Sequence, residues 1–206
     1  MQLIIGDKRF SSWSMRAWLA VKATGKPCEE VPVRLRQPDT RTQILRWSPS
    51  GKLPCLLEHG LAVWDSLAIA EYLAEEFPQL WPQDAAARAL ARSVSAEMHS
   101  GFAALRNEMS MDAGASLPGV MPSDACAADI ARIQMIWEDC RRDQGLGGPY
   151  LFGAWSIADM MFAPVCLRFE TYGVALTPLA QAYCQSVLAH PHVQAWKKAA
   201  QLERQA

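Results

Sequence analysis

Apolar and polar positions alternate on two different periods along this chain, and the change of period falls near residue 80. "LII" at Leu3 to Ile5 reads as a buried strand. Ser12 to Thr24 reads as a helix, with Met15, Trp18, Leu19 and Lys22 three or four apart and Gly25 as its stop. "EEVPVRL" is a second strand, completing a βαβ unit; "PCLLEH" and "LAVWD" are two short strands joined through Gly60, and "SLAIAEYLAEEF" is a helix closed by Pro78. Between the second and third strands lies a loop with room for one short helix. From about residue 84 the strand signals stop. Leu90, Val94, Met98, Phe102, Leu105 and Met109 trace one apolar stripe, predicting a single helix of roughly seven turns. Ser123 to Gln144 is a second long helix, with Ile130, Ile133 and Trp137 inward and Gly145 to Gly148 ending it; Ser156 to Thr171 is a third, interrupted or kinked near Pro164; Pro178 to Ala189 and His192 to Gln201 are two more. The pattern predicts an α/β domain over residues 1–79 and an all-helical domain over 84–206, joined through "FPQLWPQD", where two prolines favour an extended crossing.

Composition narrows the function more than the fold. With 206 residues, half of them hydrophobic, both parts have enough apolar surface for a core. Twenty basic against 21 acidic side chains, mixed along the chain, offer no footprint for nucleic acid or anionic lipid, so a small neutral or zwitterionic partner is expected. "LIIG" is followed at once by Asp7 and Lys8, which is neither a secretory segment nor a membrane span, and a cytoplasmic protein is expected. The six cysteines, at 28, 55, 126, 140, 166 and 184, form no CxxC pair; they read as scattered free thiols in apolar helices, and no metal site is expected.

Candidate chemistry collects at helix starts. Ser11, Ser12 and Ser14 stand where the first strand turns into a helix. A cap needs one serine, whose oxygen accepts an orphan amide hydrogen. The same corner, with unpaired amides and the positive end of the helix dipole, also favours a bound thiolate. A thiol of pKa about 8.5 is about 3% ionised at pH 7, and lowering that by roughly two units gives roughly twentyfold more nucleophile. Leu53 and Pro54 stand just before a strand, either as a plain strand entry or as a cis bond presenting the Leu53 backbone to a ligand. Asp65 and Ser66 open the third element helix: Ser66 as N-cap is one reading, and free amides holding a carboxylate while Asp65 meets an ammonium is the other.

The four stretches "SSWSMR", "GKLP", "DSLAIAEYL" and "LFGAWSIADMMFAPV", in this order, make the chain resemble the cytosolic glutathione transferases over essentially its whole length, nearest to bacterial serine-type members. The resemblance implies a thioredoxin-like N-terminal domain (βαβαββα), an all-helical C-terminal domain, a homodimer, and glutathione as co-substrate with no metal. It implies that Ser11, with Ser12 as fallback, hydrogen-bonds the glutathione sulfur. It places Leu53 against the cysteinyl part before a cis Pro54, Asp65 and Ser66 on the γ-glutamyl end, and Lys52 toward the glycyl carboxylate. It makes Ser156 and Asp159 of "SIAD" a structural capping box. "SSWS" resembles the "SSCS" of zeta-class maleylacetoacetate isomerases, but Trp13 stands where that class has cysteine, which argues against that isomerisation. The absence of a cysteine at the turn argues likewise against the thiol exchange of omega-like members. A second substrate is expected between the domains, near Trp13, Met98, His99, Phe102 and Arg106, of which Met98 and Phe102 also read as core and Arg106 as a solvated charge. The activity implied is conjugation of the thiolate to a small apolar electrophile; the alternatives are a glutathione-dependent isomerase or peroxidase, and a non-catalytic binding protein on the same fold.

Overall fold

The computed structural model describes residues 1–145 and 147–205. Four strands, β1 (Gln2–Gly6), β2 (Glu29–Val33), β3 (Cys55–Glu58) and β4 (Leu61–Trp64), form one sheet in the order β2-β1-β3-β4. β1 runs parallel to β2 and antiparallel to β3, and β3 is antiparallel to β4. The β1–β2 crossover is helix α1 (Ser12–Thr24), which Gly25 ends in the left-handed conformation. Helix α2 (Thr40–Leu45) occupies the loop before β3, and α3 (Ser66–Glu76) follows β4, giving the expected βαβαββα order.

Both faces of β1 are covered, which is why its sequence is continuously apolar. Leu3 and Ile5 join Leu19, Leu56, Ile69 and Leu73 in the main core under α1 and α3. Ile4 points the other way, to Val33, Cys55 and Ile44 of α2. After one 3₁₀ turn at Pro78–Leu80, inside the segment expected to be extended, all regular elements are helical: α4 (Ala85–Ser100), α5 (Ala103–Glu108), α6 (Asp124–Asp143), α7 (Ile157–Tyr172), α8 (Pro178–Ala189) and α9 (Pro191–Gln205). Helix α7 is buried on every side, packs against α1, α4 and α8, and runs as one helix through Pro164. A helix apolar all round belongs at the centre of its layer. Trp137 of α6 fills the space beside it, edge-on to Phe162 and Tyr183.

Besides the 3₁₀ turn in the linker and the unbroken α7, three sequence expectations need correction. The long stripe is two helices, because Gly101 is followed by Phe102 at φ 62, where helix geometry cannot continue. Leu90, assigned to the stripe, is 40% exposed; Ala87, Ala91, Val94 and Met98 form the buried face. All six cysteines are free, but Cys55 lies in β3 and Cys28 just before β2, not in helices. The Gly145–Gly148 stop contains Leu146, which lies outside the described residues, as does Ala206.

The loop between β1 and α1 is held from outside. Glu203 accepts from the backbone amides of Lys8 and Arg9 at 3.1 and 3.0 Å, Arg9 pairs with Asp112 at 2.7 Å, and the Trp196 indole donates to Lys8 O at 2.9 Å. Helix α9 and Asp112 together thereby fix the corner at which α1 begins.

Candidate active site

Ser11 is the N-cap of α1: its oxygen accepts from Ser14 N at 3.2 Å, and its hydroxyl donates to Ser14 Oγ at 2.7 Å. Ser14 Oγ also accepts from Gly6 N at 3.0 Å, tying the helix back to the end of β1. Ser12 accepts from Arg168 Nη2 of α7 at 3.4 Å. Each of the three serines therefore has its own partner: one caps, one ties the helix to the sheet, and one meets the helical layer.

A cleft of about 610 Å³ opens beside this corner, lined by Trp13, Ser50, Lys52, Leu53, Pro54, Trp64, Asp65, Ser66 and His99. The Leu53–Pro54 bond is cis. Of the residues singled out in the sequence, Lys52, Leu53, Pro54, Asp65, Ser66, Trp13 and His99 share this wall; Ser11, Ser12, Met98, Phe102 and Arg106 are not among its lining residues. Met98 is fully buried and Phe102 nearly so, which makes both core. Arg106 donates through Nε to Gly101 O at 2.9 Å and through Nη2 to Met98 O and His99 O, closing off the carbonyls that α4 exposes at its C-terminus. It therefore does not face solvent.

At α3 the structure reverses the expected cap. Asp65, at φ 76, is the N-cap, its Oδ1 accepting from Leu67 N at 2.8 Å and Ala68 N at 3.3 Å, while its Oδ2 lies 3.0 Å from His99 Nε2. Two of the amides expected to be free are thus taken. Ser66 is the first helical residue, and its buried Oγ has no partner among the described residues. His99 comes from α4, so the Asp65–His99 contact bridges the sheet half to the helical half. The His99 pKa is lowered, chiefly by burial and further by Arg16 and Arg106, and the Asp65 carboxylate offsets only part of this.

Trp13 is gripped from three directions. The Arg16 and Arg106 guanidinium carbons each lie 4.6 Å from its ring centroid, and the His99 ring meets it edge-on at 5.2 Å. Sequence reasoning missed Arg16, although it stands in "SSWSMR" three residues beyond Trp13 and therefore on the same helical face. It also missed Ser50 and Trp64. Trp64 is 45% exposed at the end of β4, an aromatic of a strand edge that only the fold turns into a wall.

The polar groups suit a zwitterion. Seven buried side-chain polar atoms have no partner among the described residues; two of them, Ser66 Oγ and His99 Nδ1, belong to residues that line this wall, and two more, Arg16 Nη1 and Nη2, lie behind Trp13 and do not reach the cleft. Buried polar groups are ordinarily paired, so the unpartnered Ser66 and His99 atoms on one cleft wall suit a polar ligand. Ser66 fits a carboxylate at a helix start and Asp65 an ammonium. Among the described residues no cluster of His, Cys, Asp and Glu is arranged for a metal ion, and no helix is long and apolar enough to cross a membrane.

Away from the cleft, the Ser156–Asp159 capping box starts α7. The Asp159 carboxylate, fully buried, accepts from Ser156 N at 2.9 Å, Ser156 Oγ at 3.1 Å, Leu151 N at 3.0 Å and Tyr183 OH at 3.2 Å. Burial pushes its pKa up to about 6 against the pull of those four donors.

Residues 10–76 match the family described as glutathione S-transferase, N-terminal domain. Maleylacetoacetate isomerase of Rattus norvegicus is 32% identical over 177 residues, covering 81% of this chain and 77% of the relative. A solved glutathione transferase homologue from Burkholderia, with bound glutathione, superposes with a TM-score of 0.73 at 26% identity over 100% of this chain and 98% of the other. Maleyl pyruvate isomerase, a bacterial zeta-class glutathione S-transferase, has the same fold, with a TM-score of 0.74 at 23% identity over 97% and 98% of the two chains. A thioredoxin-like sheet carrying the cleft, a helical layer behind it, and a relative of that identity over most of both sequences agree on one conclusion: the chain belongs to the cytosolic glutathione transferase family.

Proposed function

We propose that the protein is a serine-type, glutathione-dependent transferase of the cytoplasm that works as a homodimer and conjugates the tripeptide to a small apolar electrophile. The observation that carries the reading is the pairing of Asp65, already oriented as a cap, with the unpartnered Ser66 hydroxyl in one cleft with Leu53 and Pro54. In this reading Asp65 and Ser66 hold the γ-glutamyl ammonium and carboxylate, the Leu53 backbone meets the cysteinyl unit, and Lys52 faces the glycyl carboxylate. Ser11 exchanges its bond to Ser14 Oγ for one to the sulfur while still accepting from Ser14 N. The thiol loses its proton to solvent, the thiolate attacks carbon, a C–S bond forms, and the leaving group departs with the bonding pair.

Residues 1–79 would form the glutathione-binding domain and 84–206 the helical one. Trp13, Trp64 and His99 give the second substrate its surface, largely aromatic. A second reading has the same thiolate add to a double bond and leave again, isomerising it; the likeness to the Rattus norvegicus isomerase favours this, and Trp13 in place of cysteine opposes it. Calorimetric titration with glutathione tests the shared part. Wild type is expected to bind more tightly than millimolar, and Ser11→Ala to bind equally but turn over far more slowly; binding no better than millimolar refutes the reading. Assay of aryl halides against cis-alkene acids then separates conjugation from isomerisation.

A further inference from the structure

Arg16 is the largest buried charge for which the proposed chemistry has no use. Its side chain is 1% exposed; Nε donates to Met161 O at 2.9 Å, and Nη1 and Nη2 have no partner among the described residues. Arginine ion pairs among the described residues are made by Arg9, Arg92, Arg132 and Arg142, and none by Arg16, Arg106 or Arg168. Arg168, also buried, donates to Met109 O, Pro164 O and Ser12 Oγ, so its charge sits at the positive end of α1, the wrong end for a cation. The three guanidiniums act on one another. Burial lowers the pKa of each, that of Arg168 to about 10, and Arg106 lowers Arg16 and Arg168 further. Arginine remains protonated at neutral pH all the same. Positive charge is thus concentrated at one buried place with no carboxylate in an ion pair with it among the described residues.

The groups opposing this field are few. Asp65, before α3, faces Arg16 but is already held by two α3 amides and by His99. His99 of α4 has its pKa lowered by burial and so adds little charge at neutral pH; Asp129 of α6 faces Arg106, and Tyr172 of α7 faces Arg168. Trp13 stands between Arg16 and the cleft. Because both free Nη groups are shut behind that ring, a ligand anion in the cleft meets Arg16 through space and not through a hydrogen bond.

We propose that Arg16 is a positioning residue for the thiol: from behind Trp13 its unshared charge, reinforced by Arg106 and Arg168, keeps the sulfur of bound glutathione as the thiolate, while Ser11 orients it. The inference rests on the reading that glutathione binds this cleft with its sulfur at the start of α1. A sulfur in contact with the open part of the indole would lie about 8 Å from the guanidinium carbon, the 4.6 Å to the ring plus one van der Waals contact. Two unit charges at that separation, in an effective dielectric of about 20, shift the thiol by about one and a half pKa units.

The test is the ultraviolet absorbance of the thiolate in the glutathione complex, followed against pH for wild type, Arg16→Gln, Arg16→Lys and Arg168→Gln, beside the affinity for S-methylglutathione, which has no proton to lose. Arg16→Gln is expected to raise the bound thiol's pKa by about one and a half units and to move the acid limb of kcat/KM with it, leaving S-methylglutathione binding unchanged. Arg16→Lys keeps most of the depression, and Arg168→Gln shifts the pKa in the same direction by less. An unchanged pKa in a folded, glutathione-binding Arg16→Gln overturns the proposal, as does Arg16→Lys behaving like Arg16→Gln. Should Arg16→Gln not fold, an unmoved pKa in Arg168→Gln overturns it instead. Failure of the underlying reading looks different: wild type itself then binds neither glutathione nor its S-methyl analogue.

Discussion

Replacing Asp159 by alanine separates what holds α7 from what binds ligand. The carboxylate is fully buried and accepts from four donors, of which Leu151 N and Ser156 N are backbone. Each donor left buried without an acceptor costs about 1–3 kcal/mol, so four give a gross loss of at least about 4. Against this, the buried anion is itself disfavoured. Its pKa rises from 3.8 to about 6, roughly two units, a penalty on the order of 3 kcal/mol at neutral pH that the variant escapes. The net expectation is a loss of at least about 1 kcal/mol at pH 8. The pH dependence has a definite sign. With a folded pKa above the unfolded one, the stabilising contribution is fully present below about 3.8 and is lost as pH rises through about 6. The shortfall of Asp159→Ala should therefore be larger at pH 5 than at pH 8. Urea unfolding at the two pH values, followed by the fluorescence of buried Trp137 at 4.9 Å from Tyr183, reads it directly. A shortfall that grows toward high pH would refute the reasoning, as would one under about 1 kcal/mol at both. So would a fall in glutathione affinity, since no partner of Asp159 lines the cleft.

Two further outcomes follow from other contacts. Asp65→Ala removes the α3 cap and the partner of His99 together, so a loss of about 1 kcal/mol in stability should accompany at least a tenfold loss of glutathione affinity, measured by thermal melting and calorimetry on the same sample; equal affinity with lowered stability would confine Asp65 to capping. His190, stacked on Trp155 at 3.9 Å, has its pKa lowered by burial to about 4. Its contribution is present above the ordinary histidine pKa of 6.5 and is lost as pH falls toward 4, so His190→Gln should flatten the acid side of the melting profile between those values. An unaltered profile would show that another group controls it.

How far the sequence reached depends on how local each cause is. Helix α1 begins at Ser12 and ends at Thr24 as its pattern predicts, because a serine cap and a left-handed glycine act within one turn. α8 spans Pro178–Ala189 from equally local causes, Thr177 capping its start and the extended His190 before Pro191 ending it. The break between α4 and α5 was hidden: an apolar period runs on unaltered through one residue of positive φ, and the side chain that satisfies the exposed carbonyls, Arg106, lies in the next helix. At α3 both Asp65 and Ser66 are good caps by composition, and the backbone angle at Asp65 decides between them.

By itself, then, the sequence determined the order of elements, the serine-bearing corner, and the stretches Lys52–Pro54 and Asp65–Ser66, because capping, turns and burial periods are written in neighbouring residues. Tertiary structure decided which of these share a cleft, that Ser12 meets Arg168 of α7, and that His99 reaches across to Asp65. It also decided the fate of Arg16. In sequence an arginine one helical turn beyond a tryptophan is an ordinary surface charge; it is buried only because α7 brings the Met161 carbonyl to its Nε and Trp13 closes over it. Charge and burial combine through space, and no spacing along one chain records which distant helix will cover a side chain.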